Sequence, residues 1–316
     1  MTPILSIQQL DVSYCGTRIL NDVTLALHTG KILGVVGESG SGKSTLLQAV
    51  IGLLGDHGRI DHGKLEFDGI DLIRIKKKDM RRLRGKRLGM VFQHPGASMN
   101  PIRKIGVQFL EALHAHGDFD KKEVRTRILN MLSELRLTDG ERILNSYPFE
   151  LSGGMNQRVA IALAMVLHPE LLLADEPTSA LDVTIQAQVV RQLMDLRDHF
   201  GTAMMMVTHN MGVISYMVDQ IAVMYAGRVV EYGNKLDVMK HPQHPYTKAL
   251  IAAIPQLHGR KMVGIPGQPP VFGEPYAGCP FAARCTSARA ACRQELKLVP
   301  NDYGNGHWTL CPYGCD

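Results

Sequence analysis

Ile32-Leu33-Gly34-Val35-Val36-Gly37-Glu38-Ser39-Gly40-Ser41-Gly42-Lys43-Ser44 decides the fold. An apolar run that ends in glycines and leads into the apolar helix pattern Thr45 to Leu53 reads as buried strand, tight loop and helix. From Gly37 to Ser44 the residues match the phosphate-loop pattern, with the strand before and helix after that it requires. Glycines there let successive backbone N–H groups turn inward around phosphate oxygens, and the helix N-terminus adds its partial positive charge. Gly37, Ser39, Gly40, Ser41, Gly42 and Thr45 then line the phosphates, Lys43 reaches the β- and γ-phosphates, and the Ser44 hydroxyl ligates Mg²⁺. Taken alone, the motif identifies only a binder of nucleoside triphosphate.

Working outward, Leu10, Val12 and Tyr14 alternate as a strand does, and Thr24-Leu25-Ala26-Leu27 follows suit. Residues 103–116, 121–137 and 183–199 have helical spacing, with Ile185, Val189, Leu193 and Leu196 sharing one face of the last. Leu171–Ala174 and Ala203–Val207 resemble buried parallel strands. Strands alternating with helices predict an α/β fold with a largely parallel sheet. The stretch 95–165 holds helix patterns without strands, which predicts an inserted helical subdomain. Between Gly264 and Pro280 nine of seventeen residues are Gly or Pro, so a boundary is expected near residue 256. The division is thus 1–255 and a small cysteine-bearing extension, 256–316.

Composition sets limits. At 316 residues, 45% apolar and 21% charged, the chain has the make-up of a globular protein with an ample core. A net charge of +5 suits an anionic membrane surface or an anionic ligand and falls short of a dedicated nucleic-acid binder. The longest apolar stretch, Val159 to Leu173, is interrupted by His168, Pro169 and Glu170, short of the ~20 residues that cross a bilayer. Met1 to Leu10 lacks the pattern of a signal peptide, so a cytoplasmic chain held at a membrane by partners is expected.

Leu171-Leu172-Leu173-Ala174-Asp175-Glu176 delivers two acids to a sheet edge: Asp175 to hold Mg²⁺ through water, Glu176 to polarise the attacking water as general base. Leu151-Ser152-Gly153-Gly154-Met155-Asn156-Gln157-Arg158 then makes the reading specific, because it resembles the signature motif of the ATP-binding-cassette (ABC) ATPases. Met155 takes the place of the usual Gln; Ser152, Gly153 and Gly154 carry the chemistry, opening a helix expected from Gln157 to Leu167. Gln93 resembles the Q-loop glutamine, a ligand of Mg²⁺ and water that links core and helical subdomain. Ser179-Ala180-Leu181-Asp182 resembles the D-loop, and His209 the switch histidine that contacts the γ-phosphate. Tyr14 resembles the aromatic residue that stacks on adenine, with ordinary strand packing as the alternative. The resemblance covers roughly residues 1–255 and implies two cassettes packed head to tail, each ATP lying between one phosphate loop and the facing signature. Binding closes such a pair and hydrolysis reopens it.

The tail narrows the substrate. His241-Pro242-Gln243-His244-Pro245-Tyr246-Thr247-Lys248-Ala249-Leu250 and Gly278-Cys279-Pro280-Phe281-Ala282-Ala283-Arg284-Cys285 are similar to the extension of dipeptide and oligopeptide permease ATPases. That subfamily implies peptide import, with nickel chelates, opines or glutathione as alternative cargoes. It also implies a second, similar ATPase subunit, two transmembrane permeases, an external binding protein, and a peripheral place on the cytoplasmic face of the inner membrane. Cys279, Cys285, Cys292 and Cys311 offer four soft ligands. The resemblance implies a [4Fe–4S] cluster on them; zinc and unligated thiols remain open, as does Cys315 in place of Cys311. A soluble ABC ATPase of chromosomes or ribosomes is disfavoured by the absence of sustained heptads between Ser44 and Ser152 and by the single cassette. A redox-sensing tail is a further rival. Between Arg74 and Arg87 lie nine Lys/Arg and one acid, Asp79, which is a solvated face near a membrane or a contact with lipid or permease.

Overall fold

A computed structural model describes residues 2–117, 120–179, 181–254, 264–273, 278–294, 301–304 and 306–314. The boundary expected near 256, Ala180 of the D-loop stretch and Cys315 lie outside them. The chain forms two compact units, Met1–Leu27 with Ile32–Ile73 and Val207–Asp316, and His28–Lys31 with Arg74–Met206.

In its first pass through the first unit the chain makes β1 (Leu5–Tyr14), β2 (Thr17–Leu27), β3 (Ile32–Val36), α1 (Lys43–Ile51), β4 (Gly58–Phe67) and β5 (Ile70–Asp71). Strands β2-β1-β4-β5 form an antiparallel sheet. It buries Leu5, Ile7, Leu10 and Val12 on its inner face, the half-buried alternation expected of such a sheet. No strand is expected over Gly58–Phe67 from its sequence, which is mostly polar, and only Leu65 and Phe67 of it are buried. Pairing with β1 makes it a strand.

The second unit holds α2 (Lys77–Leu83), β6 (Leu88–Val91), α3 (Pro95–Ser98), α4 (Ile105–His114), α5 (Lys121–Glu134), α6 (Gly140–Asn145), α7 (Gly153–Met165), β7 (Leu171–Asp175), α8 (Val183–Phe200) and the start of β8 (Ala203–Thr208). Its strands run in the order β8-β7-β6, with β6 and β7 parallel. Every residue of β7 and β8 is buried. Helix α5 turns Val124, Ile128, Met131 and Leu132 inward, and buried Gln192 on α8 donates to the Leu135 carbonyl at 2.9 Å. On α2, Met80 and Leu83 are buried while Lys77, Lys78, Arg81 and Arg82 are exposed, so four cations of the basic run form an open face of one short helix.

Returning to the first unit, the chain forms α9 (Met211–Met217), β9 (Gln220–Tyr225), β10 (Arg228–Asn234), α10 (Lys235–Lys240), α11 (Pro245–Ala252), β11 (Asn301–Asp302) and β12 (Trp308–Thr309). Here the strand order is β11-β12-β10-β9-β3, with β3 parallel to β9 and the others antiparallel. The tail therefore adds a small hairpin beyond β10. What pins it is Glu231, fully buried on β10, which accepts from the Gln243 and His244 backbone amides, each at 2.8 Å, and meets His307 Nε2 at 2.8 Å.

Candidate functional site

Strand β3 is buried along its whole length and ends at Gly37, where the chain must turn without a side chain. A Cβ on Gly37 would stand 2.1 Å from the Met224 carbonyl oxygen and 2.8 Å from Ser41 Oγ. Gly42 caps α1 with a left-handed backbone, φ 97°, which an L side chain rarely adopts. Between these glycines the loop closes on itself. Lys43, 5% exposed, donates to the carbonyls of Gly37 (2.9 Å) and Glu38 (2.7 Å) and to Ser41 Oγ (3.3 Å). Ser44 is exposed at the first turn of α1 and Thr45 half-buried. Tyr14 is half-buried and donates from its hydroxyl to Gln48 Oε1 of α1 at 3.0 Å; burial raises its pKa. His209, exposed after β8, precedes Asn210, whose side chain caps α9 by accepting from the Gly212 and Val213 amides.

The second unit assembles a different group. Parallel strands β6 and β7 pair Val91 with Ala174, so Gln93 and Glu176 each lie two residues past paired positions. That equal overhang brings them together: Gln93 Nε2 donates to Glu176 Oε2 at 3.2 Å. Asp175 is buried at the end of β7, and Glu176 has a left-handed backbone, φ 44°. Such a conformation costs a non-glycine residue on the order of 1 kcal/mol and marks a position that its surroundings enforce.

Also in this unit, α7 starts at Gly153, four residues earlier than the glycines suggest, because Ser152 caps it by accepting from the Met155 amide at 3.3 Å. Ser152 and Gly153 are exposed, whereas a Cβ on Gly154 would lie 2.9 Å from Ile185 Cγ2 of α8. Exposed Asp182 caps α8, its carboxylate accepting from the Thr184 and Ile185 amides, each at 3.0 Å.

Two residues to which the sequence reading gives no role beyond their place in the tail stretches are tied to the loop: Arg284, which grips the Glu38 carboxylate, and Tyr246, which accepts from the Glu38 amide. Those stretches signal the kind of tail and not this contact, since Arg284 and Glu38 stand 246 positions apart in sequence.

The cysteine reading needs correction. Cys279, Cys285, Cys292 and Cys311 do line one cavity of about 420 Å³ with His244 and Arg289. Among the described residues, however, no group of three or more His, Cys, Asp or Glu side chains is placed to hold a metal ion. Burial pushes the Cys279 thiol up to about 11 and the Cys285 thiol upward too. The expected [4Fe–4S] cluster is therefore overturned: spacing supplied four soft atoms without the arrangement that coordination requires.

Residues 20–179 match the model of the family "ABC transporter", and residues 230–292 that of "Oligopeptide/dipeptide transporter, C-terminal region". Over 316 residues the chain is 41% identical to a probable peptide ABC transporter ATP-binding protein of Sinorhizobium fredii, covering 98% of this chain and 94% of that one. It is 41% identical to the oligopeptide transport ATP-binding protein OppD of Haemophilus influenzae, with 96% of each chain covered. The dipeptide transport ATP-binding protein DppD of Bacillus subtilis is also 41% identical, over 92% of this chain and 89% of that one. Among solved structures, an ATP-binding cassette in a dimeric post-hydrolysis state with ADP and Pi matches with a TM-score of 0.65 and 27% identity, over 73% of this chain and 98% of that one. With a phosphate loop, a capped signature helix and full-length relatives at this identity, the chain belongs to the ABC transporter family as an ATP-binding subunit.

Proposed function

We propose that this chain hydrolyses ATP to drive import of di- and oligopeptides. The observation that carries the chemistry is Gln93 aligned on Glu176 at the ends of paired parallel strands, with Glu176 held on an enforced left-handed backbone. A carboxylate fixed in that way serves as general base toward a water, and the glutamine amide orients it. Lys43 and the amides of Gly37 and of Ser39 to Thr45 bind the phosphates, Tyr14 stacks on adenine, and His209 contacts the γ-phosphate. Ser44, Gln93 and Asp175 offer hydroxyl, amide and carboxylate oxygens, the hard donors that Mg²⁺ takes. When bound, the ion neutralises charge on the β- and γ-phosphate oxygens.

Ser152, Gly153 and Gly154 face the γ-phosphate held by a second cassette, with Asp182 at the same junction. The exposed cap of α7 supports this, since its amides and hydroxyl are open to an anion. Residues 1–255 form the ATPase domain, with 95–165 as its helical subdomain and 256–316 as the cysteine-containing extension. The match of residues 230–292 to the oligopeptide/dipeptide C-terminal region supports a peptide cargo. Its partners are a second, similar ATPase, two transmembrane permeases and an external binding protein. Among the described residues no helix is long and apolar enough to cross a membrane. The likeness to ATP-binding subunits of peptide transporters supports peripheral attachment to the cytoplasmic face of the inner membrane.

Glu176→Gln tests the proposal. The variant should bind ATP as the parent does and lose hydrolysis by a hundredfold or more, on the order of what a positioned acid–base group supplies. Turnover within threefold of the parent would remove Glu176 from the reaction.

A further inference from the structure

Glu38, the second residue of the phosphate loop, has its polar groups committed in different directions. Its carbonyl accepts from Lys43 Nζ at 2.7 Å and from the Ser41 amide at 3.2 Å, both inside the loop. The carboxylate and the amide of Glu38 point elsewhere. Its amide donates to the Tyr246 hydroxyl of α11 at 2.8 Å. The carboxylate receives a two-pronged grip from Arg284, Nη1 to Oε2 at 2.6 Å and Nη2 to Oε1 at 2.9 Å.

Arg284 is built for that grip. Its side chain is 4% exposed, its Nε donates to the Pro266 carbonyl at 2.8 Å, and its guanidinium lies against the rings of Tyr225 and Phe281. The ring of Tyr246 packs on the same two aromatics, with centroids 4.7 Å and 5.3 Å away. Loop, α11 and the Cys279–Cys285 turn thus meet around one carboxylate and one amide.

We propose that Arg284, seconded by Tyr246, is a positioning residue for ATP binding: it holds the curve of the phosphate loop from outside, through Glu38. Lys43 ties Gly37 to Glu38 from inside the loop. Its ammonium and the loop amides are also the groups that a phosphate engages, so the shape of the loop gains from anchors that the nucleotide does not compete for. Arg284 and Tyr246 are such anchors, because they hold the carboxylate and amide of Glu38 and leave its carbonyl to the lysine. A planar fork on a carboxylate fixes orientation as well as distance, which an ammonium does not. Its loss appears as loop disorder that nucleotide must reverse, and so as weaker binding rather than slower chemistry.

The proposal rests on the ATPase reading, and the experiment separates the two. ATP affinity is measured by calorimetry with Mg²⁺, and KM and kcat by phosphate release, for the parent, Lys43→Ala, Arg284→Ala, Arg284→Lys and Glu38→Gln. Thermal melting is followed in parallel. A parent that binds no ATP removes the functional reading itself. Given a binding parent, Arg284→Ala should raise Kd and KM by about tenfold with kcat within twofold, and Arg284→Lys should recover only part of that loss. A merely structural Arg284 would lower the melting temperature and leave Kd and KM unchanged, which overturns the proposal. Where Arg284→Ala does not fold, Arg284→Lys and Glu38→Gln decide: a threefold or greater rise in Kd at unchanged kcat supports the latch, and unchanged Kd overturns it.

Discussion

His244 caps α11 with its ring: Nδ1 accepts from the Tyr246 amide at 3.1 Å, so the imidazole must be neutral with its proton on Nε2. It is wholly buried, and burial pulls its pKa from 6.5 down to about 4, against the opposing pull of the Glu231 carboxylate. Protonating Nδ1 turns the cap acceptor into a donor facing an amide. A histidine whose folded pKa lies below its unfolded value costs no stability above pH 6.5. As pH falls from there, the unfolded chain takes up the proton first, and stability drains until pH 4, below which the loss is constant. The full shift from 6.5 to about 4 corresponds to about 3 kcal/mol, of which about 2 kcal/mol is expressed at pH 5.

Trp308, the single tryptophan, stacks on Tyr232 at 5.8 Å and adjoins His307 of the same cluster, so its fluorescence reports unfolding there. Urea titrations of the parent and of His244→Asn, at pH 7.5 and pH 5, isolate the histidine, since asparagine caps a helix without titrating. Moving to pH 5 should cost the parent about 2 kcal/mol more than the variant, or roughly 0.7 M in urea midpoint for a slope near 3 kcal/mol/M. Equal losses in the two proteins would refute the argument, because they would mean that His244 titrates alike folded and unfolded.

Three further outcomes are expected. Gly37→Ala puts a methyl 2.1 Å from the Met224 carbonyl, so β3 or β9 must shift; about 2 kcal/mol of stability and measurable ATP affinity should go together, by melting and calorimetry. Asp182→Ala removes the acceptor of two amides at the start of α8 and should cost about 1 kcal/mol in urea unfolding, while Asp182→Asn should cost a few tenths. Glu231→Ala strands a buried and a half-buried backbone amide together with His307, and should lower stability by about 3–5 kcal/mol, enough to expose the tail hairpin to proteolysis.

What was legible in the sequence is what nature writes locally. The phosphate loop is read from consecutive residues because its glycines answer to neighbours along the chain, and β3, β7 and β8 are read because full burial leaves uninterrupted apolar runs. Strand β4 escaped because one wet face and several charges blur its alternation. The start of α7 escaped for a related reason: glycine is a poor helix former, yet Gly153 and Gly154 are helical under the Ser152 cap, where a Cβ on Gly154 would press on Ile185 at 2.9 Å. Gln93 and Glu176 could each be named from motifs, but their alignment follows from the Val91–Ala174 register, which no single segment encodes. The cysteines mark the opposite limit, for spacing pointed to four sulfurs that do line one cavity and said nothing of whether they converge as ligands. Arg284 lies furthest from sequence reading. The stretch around it marks a kind of tail and assigns it no partner, and that partner is 246 residues away, so only the folded chain shows that the tail grips the phosphate loop.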